Sequence, residues 1–414
     1  MVLGGRDSRP IGGRPGRALA RLLVLIATVA VLAAASPAGT LEAPSQDPAP
    51  TPSPSPTTGS ETSVPARPLV LAYYYIWYTP TSWNRAKSDL PTLGAYDSAN
   101  RAVIAQHMAW AKQAGIDGLI VSWKHQDRLD GPLQTVVQEA EKAGLKLVLL
   151  YQGLDFNRRP LDDATVASDI KWFLDTYGTS PVFDVFGRPA VVWSGTWGYT
   201  DAQIKRVRGL IGAPDRILLL GSERSGTSYT ARAGLYDGNA YYWSSPDPLT
   251  TPGYEKRLQT IADAVRADSG IWIAPAAPGF DARLVGGTST VLRRDGATFR
   301  AAWKGALQTS PNAIGIISWN EFSESSAIEP SQTYGDAYLT LTHELVGALV
   351  PAGSGPSPGP TSFEPAPSPI GQPIGTAPSL PPPMPANSLG VWIGLALVAA
   401  IVVVGGVLRR RSPS

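Results

Sequence analysis

The 414-residue chain has no cysteine and only three histidines, His107, His125 and His343. Disulfide scaffolding, thiol nucleophiles and cysteine–histidine metal sites are therefore excluded, and a serine–histidine–aspartate triad has few candidates. Net charge is nearly absent as well, since 35 basic residues against 33 acidic ones leave +2. Much of the basic character lies at the termini, so no phosphate-binding surface and no nucleic-acid partner are expected. What remains for chemistry is carboxylates, hydroxyls and aromatic rings, among them 12 tryptophans and 15 tyrosines.

Proline is plentiful, with 39 residues, but unevenly spread. Seven lie in residues 41–66 and thirteen in 351–388, stretches too poor in large apolar side chains to pack a core. They read as linkers (36–66 and 351–388) around one folded unit, residues 67–350, large enough to bury a substantial core. Five arginines precede an apolar run at 22–35 that ends in small residues, the order of a secretory signal over residues 1–35. Residues 389–408 carry no charge and are long enough for a transmembrane helix. Arg409, Arg410 and Arg411 follow, marking residues 409–414 as a cytoplasmic tail. The expectation is an exported domain, anchored to the membrane through the C-terminal helix and acting as a monomer.

Within the folded unit, short apolar runs alternate with amphipathic stretches. The pattern predicts strands over 69–78, 118–123, 146–152, 189–194, 216–223, 235–243, 271–276 and 313–319. It predicts helices over 102–114, 133–143, 163–177, 201–211, 254–267, 298–308 and 334–349. Most strand runs are apolar throughout, as expected when both faces are covered. Eight such strands separated by helices fit an α/β fold of the (β/α)8 TIM-barrel type. A doubly wound open sheet is the alternative, weakened because Ile76-Trp77-Tyr78-Thr79-Pro80 stands where its glycine-rich phosphate loop would be.

A barrel places its chemistry at the C-terminal ends of its strands. Tyr74, Tyr75, Trp77 and Tyr78 end the first strand, Trp123 the second and Gln152 the third, and Tyr242 and Trp243 belong to the sixth. Together with His125 and Asn320 they form the candidate substrate-binding set. Rings carrying hydroxyl or indole donors suit sugars, whose C–H faces stack while their hydroxyls take polar partners. Glu321 falls where the eighth strand runs out, and Glu324 lies in the turn after it. Two carboxyl groups crowded in a poorly hydrated site would be pushed apart in pKa, leaving one a base and one an acid. Glu329, before Pro330, reads as a capping or loop-fixing residue, Asp117 as structural, and His107, within its helix and away from the rim, as a packed or surface histidine. Asp237, Asp281 and Arg283 are placed either to bind hydroxyls or to fix loops through ion pairs.

The block Asn320-Glu321-Phe322-Ser323-Glu324, with Ile328-Glu329-Pro330, resembles the last-strand motif of glycoside hydrolase family 99, the endo-α-mannosidases. Tyr74-Tyr75-Ile76-Trp77-Tyr78, His107-Met108, Ala114-Gly115-Ile116-Asp117-Gly118, Val121-Ser122-Trp123 and Ala277-Pro278-Gly279-Phe280-Asp281 match in the expected order. The resemblance implies a retaining enzyme that cleaves internal α-mannosidic linkages without metal or cofactor. It also implies that Glu321 deprotonates the sugar 2-hydroxyl, which closes a 1,2-anhydro intermediate. Glu324 would protonate the leaving oxygen and then activate water. The usual retaining route, in which a carboxylate itself attacks carbon, stays open.

The departures bear on specificity. The family's His-Ile-Glu-Pro-Tyr segment reads Leu150-Tyr151-Gln152-Gly153-Leu154 here, so its substrate-contacting glutamate becomes Gln152. Its tryptophan- and histidine-rich stretch reads Thr81-Ser82-Trp83-Asn84-Arg85, and Phe322-Ser323 replaces Trp-His between the glutamates. Altered polar contacts change which sugar hydroxyls are recognised. A non-catalytic carbohydrate-binding barrel on the cell surface is the alternative function; a stalked adhesion protein would not need the aromatic rim.

Overall fold

The computed structural model describes residues 67–349, apart from Phe156 and Ala213, together with Phe363. The predicted signal, both linkers, the C-terminal helix and the tail lie outside the described residues. Among the described residues no helix is long and apolar enough to cross a membrane.

Eight parallel strands form one sheet in the order β5-β4-β3-β2-β1-β10-β7-β6. They are β1 (Leu69–Tyr75), β2 (Gly118–Trp123), β3 (Lys146–Gln152), β4 (Ala190–Ser194), β5 (Leu218–Leu220), β6 (Gly238–Ala240), β7 (Ile271–Ala276) and β10 (Ala313–Ile316). A bridge between Gly221 and Asn239 joins the two edge strands. There the Gly221 N–H donates to Gly238 O and the Ala240 N–H to Gly221 O, both at 2.9 Å. Every barrel strand thus neighbours its predecessor and successor, and the sheet is the expected (β/α)8 barrel. Helices α1 (Arg101–Gln113), α2 (Asp127–Ala143), α3 (Asp163–Tyr177), α4 (Asp201–Ile211), α5 (Gly226–Thr230), α6 (Tyr254–Ala267), α7 (Ala297–Gln308) and α8 (Ala337–Gly347) fill the connections. A two-stranded hairpin, β8 (Phe280–Asp281) with β9 (Thr290–Val291), follows β7.

Period-2 alternation sorts the apolar runs into two cores. Leu71, Tyr73, Ile120, Val148, Leu150, Val192 and Ile273 fill the barrel, while Val70, Ala72, Tyr74, Leu119, Val121, Leu147 and Leu149 face the helices. Both sets are buried, which is why the strands read as continuously apolar. Gly315 in β10 makes room for the Tyr73 ring, since a Cβ there would sit 2.9 Å from it.

The structure departs from the predicted elements in several places: β1 ends at Tyr75 rather than 78, β10 at Ile316 rather than 319, and α8 spans Ala337–Gly347 rather than 334–349. Helix α2 begins at Asp127 rather than 133, running through Pro132. Proline near a helix start removes a single bond, and Gly131 before it has no Cβ to clash with the ring. Strands β5 and β6 are shorter than predicted because their polar ends leave the sheet to build the rim. Helix α5 and the hairpin carry too few residues to show periodicity. At the opposite face, Asp117 pairs with Arg67 at 2.8 Å and accepts the Val70 N–H at 2.7 Å. Asp237 does the same for Arg208 at 3.0 Å and the Leu219 N–H at 2.8 Å. Both are structural, and of the two readings of Asp237 the loop-fixing one holds.

Candidate active site

The C-terminal ends of the strands surround a cleft of about 700 Å³, and Glu321 and Glu324 line it with Tyr75, Trp77, Tyr242 and Trp243. The segment after β10 is held from below. The Asn320 side chain accepts from the Tyr75 N–H at 2.8 Å and donates to the Tyr75 carbonyl at 2.9 Å. One amide thus ties the end of β1 to the turn carrying the glutamates. Asn320 itself is fully buried and is not among the cleft residues. Tyr78 is buried too: its hydroxyl donates to the Asn320 carbonyl at 2.8 Å and lies 3.4 Å from Glu321 Oε1. The Glu321 N–H donates to Ser318 Oγ at 2.8 Å, and its Oε1 accepts from the Ser323 N–H at 2.9 Å.

Burial, and then the charge of Glu324, push the Glu321 carboxyl up to about 7; the Ser323 hydrogen bonds and the Lys87 ammonium pull more weakly the other way. Burial also raises Glu324, against the pull of Arg158. Both carboxyls therefore move in the same direction, and a proton stays with the pair near neutrality. Tyr75 and Tyr242 touch through their hydroxyls beside them. Burial raises both phenols well above their ordinary value, and the two glutamates add to the effect. They are therefore neutral hydrogen-bonding groups.

The other predicted residues divide. Gln152 lines the cleft and donates to Ser122 Oγ at 2.9 Å. Trp123 lines it as well, its Nε1 donating to Asp130 at 2.9 Å. His125 lies outside the lining, 3.0 Å from Asp130 and stacked on Trp172 with centroids 4.4 Å apart. Tyr74 points to the helical layer, with its hydroxyl 3.0 Å from His107 Nδ1, because alternation along β1 turns it away from Tyr75. Behind it, His107 Nε2 lies 3.1 Å from Glu329, which accepts from Tyr96 at 2.9 Å. Glu329 and His107 are thus packed beneath the site, so of the two readings of His107 the packed one holds. Asp281 is bound to Arg283 at 2.6 Å.

Sequence reasoning missed the basic side of the cleft: Lys124, Arg128, Arg158 and Arg224. Glu223, just beyond β5, is buried and pairs with Arg232 at 2.7 Å. Its neighbour Arg224 is the residue in the cleft, between the rings of Trp197 and Trp243 at 3.8 and 3.7 Å. Ser289 and its neighbours between β8 and β9 also line it. Among the described residues no group of histidine and carboxylate side chains is arranged to hold a metal ion.

A sequence model of glycosyl hydrolase family 71 matches residues 93–343, more than half of the chain. The chain belongs to this glycosyl hydrolase family. It is also family 99-like, as its motifs suggested. It is 25% identical over 282 residues to the glycoprotein endo-alpha-1,2-mannosidase of Rattus norvegicus, covering 61% of this chain and 59% of the relative. An endo-alpha-1,2-mannosidase-like protein of Danio rerio is 24% identical over 288 residues, covering 61% and 62%. The chain thus spans about three fifths of the length of the curated relatives it matches. The solved GH99 endo-alpha-mannosidase of Bacteroides thetaiotaomicron superposes with a TM-score of 0.59 at 21% identity, covering 68% of this chain and 97% of that one. That likeness carries the fold.

Proposed function

We propose that this chain is an endo-acting α-glycoside hydrolase that cleaves internal α-mannosidic or closely related linkages. The observation that carries the reading is Glu321 and Glu324 in one aromatic-lined cleft, both carboxyls raised by burial. A pair that retains a proton near neutrality supplies a base and an acid at once, the minimum for cleaving a glycosidic bond. The names of the relatives support mannose as the sugar.

In the proposed reaction the Glu321 carboxylate takes the proton of the substrate 2-hydroxyl. The freed oxygen attacks the anomeric carbon and closes a 1,2-anhydro ring. Glu324 gives its proton to the departing glycosidic oxygen, then removes one from the water that attacks the anomeric carbon; the C1–O2 bond of the ring breaks, Glu321 returns its proton to the 2-oxygen, and the configuration is retained overall. Tyr75 and Tyr242, both neutral, donate or accept hydrogen bonds around the developing charge. In the empty cleft, Glu324's charge favours a proton on Glu321 while Arg158 favours the carboxylate of Glu324. Productive binding therefore has to shift the shared proton to Glu324.

The reading extends to location: residues 1–35 act as an export signal and residues 389–408 as an anchor, holding a monomeric barrel outside the cell. Membrane fractionation with protease protection tests this part. The activity is tested by product analysis of the full-length chain and Glu324→Gln on α-mannan, α-1,2-linked manno-oligosaccharides and other α-glycans. Oligosaccharide release by the wild type, lost in the variant, is expected. Binding without turnover by both proteins refutes hydrolysis and leaves a glycan-binding barrel.

A further inference from the structure

Two indole rings clamp the guanidinium of Arg224, from 3.8 Å at Trp197 and 3.7 Å at Trp243. With both faces covered by aromatic π-systems, only its in-plane N–H edge is left for a partner. Its Nε is buried without a hydrogen bond, and among the described residues no carboxylate lies within ion-pair distance, Glu223 and Tyr241 acting on it only from further away. Desolvation lowers its pKa to about 10, so it keeps its charge at neutral pH. A charged, partly desolvated, unpaired donor fixed between two rings is costly to keep unless something outside the chain completes it.

The surroundings share the same sign. Arg158 from the loop after β3, Lys124 from the loop after β2 and Arg128 from the start of α2 line the cleft, and Arg158 is close enough to Arg224 to lower its pKa. Of the carboxylates in the lining, Asp155 is occupied by Arg159 at 2.9 Å and by the backbone N–H groups of Asn157 and Arg159 at 2.8 Å. Glu321 and Glu324 hold a proton between them. The free cleft therefore carries net positive charge, although the whole chain is nearly neutral. A neutral mannan would not require that.

We propose that Arg224, with Arg158 beside it, forms a subsite for an oxyanion on the glycan, a carboxylate or a phosphate or sulfate ester, so that the preferred substrate is an acidic α-glycan. A planar guanidinium edge binds such groups in bidentate fashion, and the flanking indoles stack on the sugar that carries them. This inference deepens the hydrolase reading and rests on the same cleft.

The test uses the full-length chain and the fluorescence of its tryptophans, two of which flank Arg224. Ligands are a neutral α-mannobiose, its 6-phosphate, and a disaccharide with glucuronic acid in place of one mannose. The acidic ligands are expected to bind at least about tenfold more tightly than the neutral one. In Arg224→Met, whose thioether still fills the gap between the rings, that preference should vanish. In wild type, raising salt from low to high concentration should erode acidic binding and spare neutral binding. Preference for one acidic ligand over the other identifies the oxyanion. Equal affinity for neutral and acidic ligands, or a preference that survives Arg224→Met, overturns the proposal. Hydrolysis of neutral mannan is scored separately: cleavage without acidic preference refutes only the subsite, and acidic preference without cleavage refutes only the mannan reading.

Discussion

Glu321 should be a residue the fold would be more stable without. Its carboxyl is pushed from the ordinary 4.5 up to about 7 by burial and by Glu324. At about 1.4 kcal/mol per tenfold, that displacement is worth about 3 kcal/mol against the ionised form. The sign follows from the direction. Below pH 4.5 folded and unfolded chains both hold the proton and no penalty applies. Between 4.5 and 7 the unfolded chain gives up its proton first, and stability falls as pH rises. Above 7 the whole penalty is present. Glu321→Gln removes the charge and keeps the shape, so it should stabilise the chain by up to about 3 kcal/mol at pH 8 and by almost nothing at pH 4. It should also cut turnover by about 10²–10⁴-fold, the range for loss of a general base. Urea unfolding of both proteins at the two pH values, with unchanged m, reads the first part. A variant equally shifted at both pH values, or less stable than wild type at pH 8, refutes the argument that burial strains this carboxylate.

Glu324→Gln should lower kcat/KM on mannans by at least about 10²-fold, yet leave much of kcat/KM on an aryl mannoside whose leaving group needs no protonation; equal losses of kcat/KM on both substrates would contradict its role as the acid. Asn320→Ala strands the buried N–H and C=O of Tyr75, an expected loss of about 2–4 kcal/mol by chemical denaturation, with turnover falling as the glutamate turn loosens. Gly315→Ala puts a Cβ 2.9 Å from the Tyr73 ring and 3.1 Å from Ile273, so it should cost about 1–3 kcal/mol. It should also disturb the Tyr73–Tyr242 stack, seen as a raised KM in mannan assays.

The barrel was legible wherever a strand is covered on both faces: Gly118–Trp123 and Lys146–Gln152 are predicted residue for residue, because their apolar runs end where burial ends. Helix α2 is predicted only from 133, whereas the structure carries it from Asp127 through Pro132, its sixth residue. The glutamates were legible because both sit in one turn of sequence. Arg224 was not, since Trp197 and Trp243 flank it from β4 and β6 loops that become neighbours only when the sheet closes. Tyr74 shows a different limit. Its aromatic character suggested the rim, but period-2 alternation, applied strictly to β1, sends it to the side opposite Tyr75.

The closure of the barrel is uneven. Strands β2 and β3 stay in register from Gly118–Lys146 to Trp123–Tyr151, whereas β5 and β6 are three residues each and meet through one bridge. Few backbone bonds hold that seam, so its amides should exchange with solvent before those of any other pair of staves. It lies at the base of the segments carrying Arg224 and Trp243, with β6 and β7 between it and β10. Breathing there would widen one wall of the cleft while the glutamate turn, laced to β1 by Asn320, stays still. The molecule thus has a stiff half that sets the geometry of bond cleavage and a yielding half that can admit bulky or branched chains.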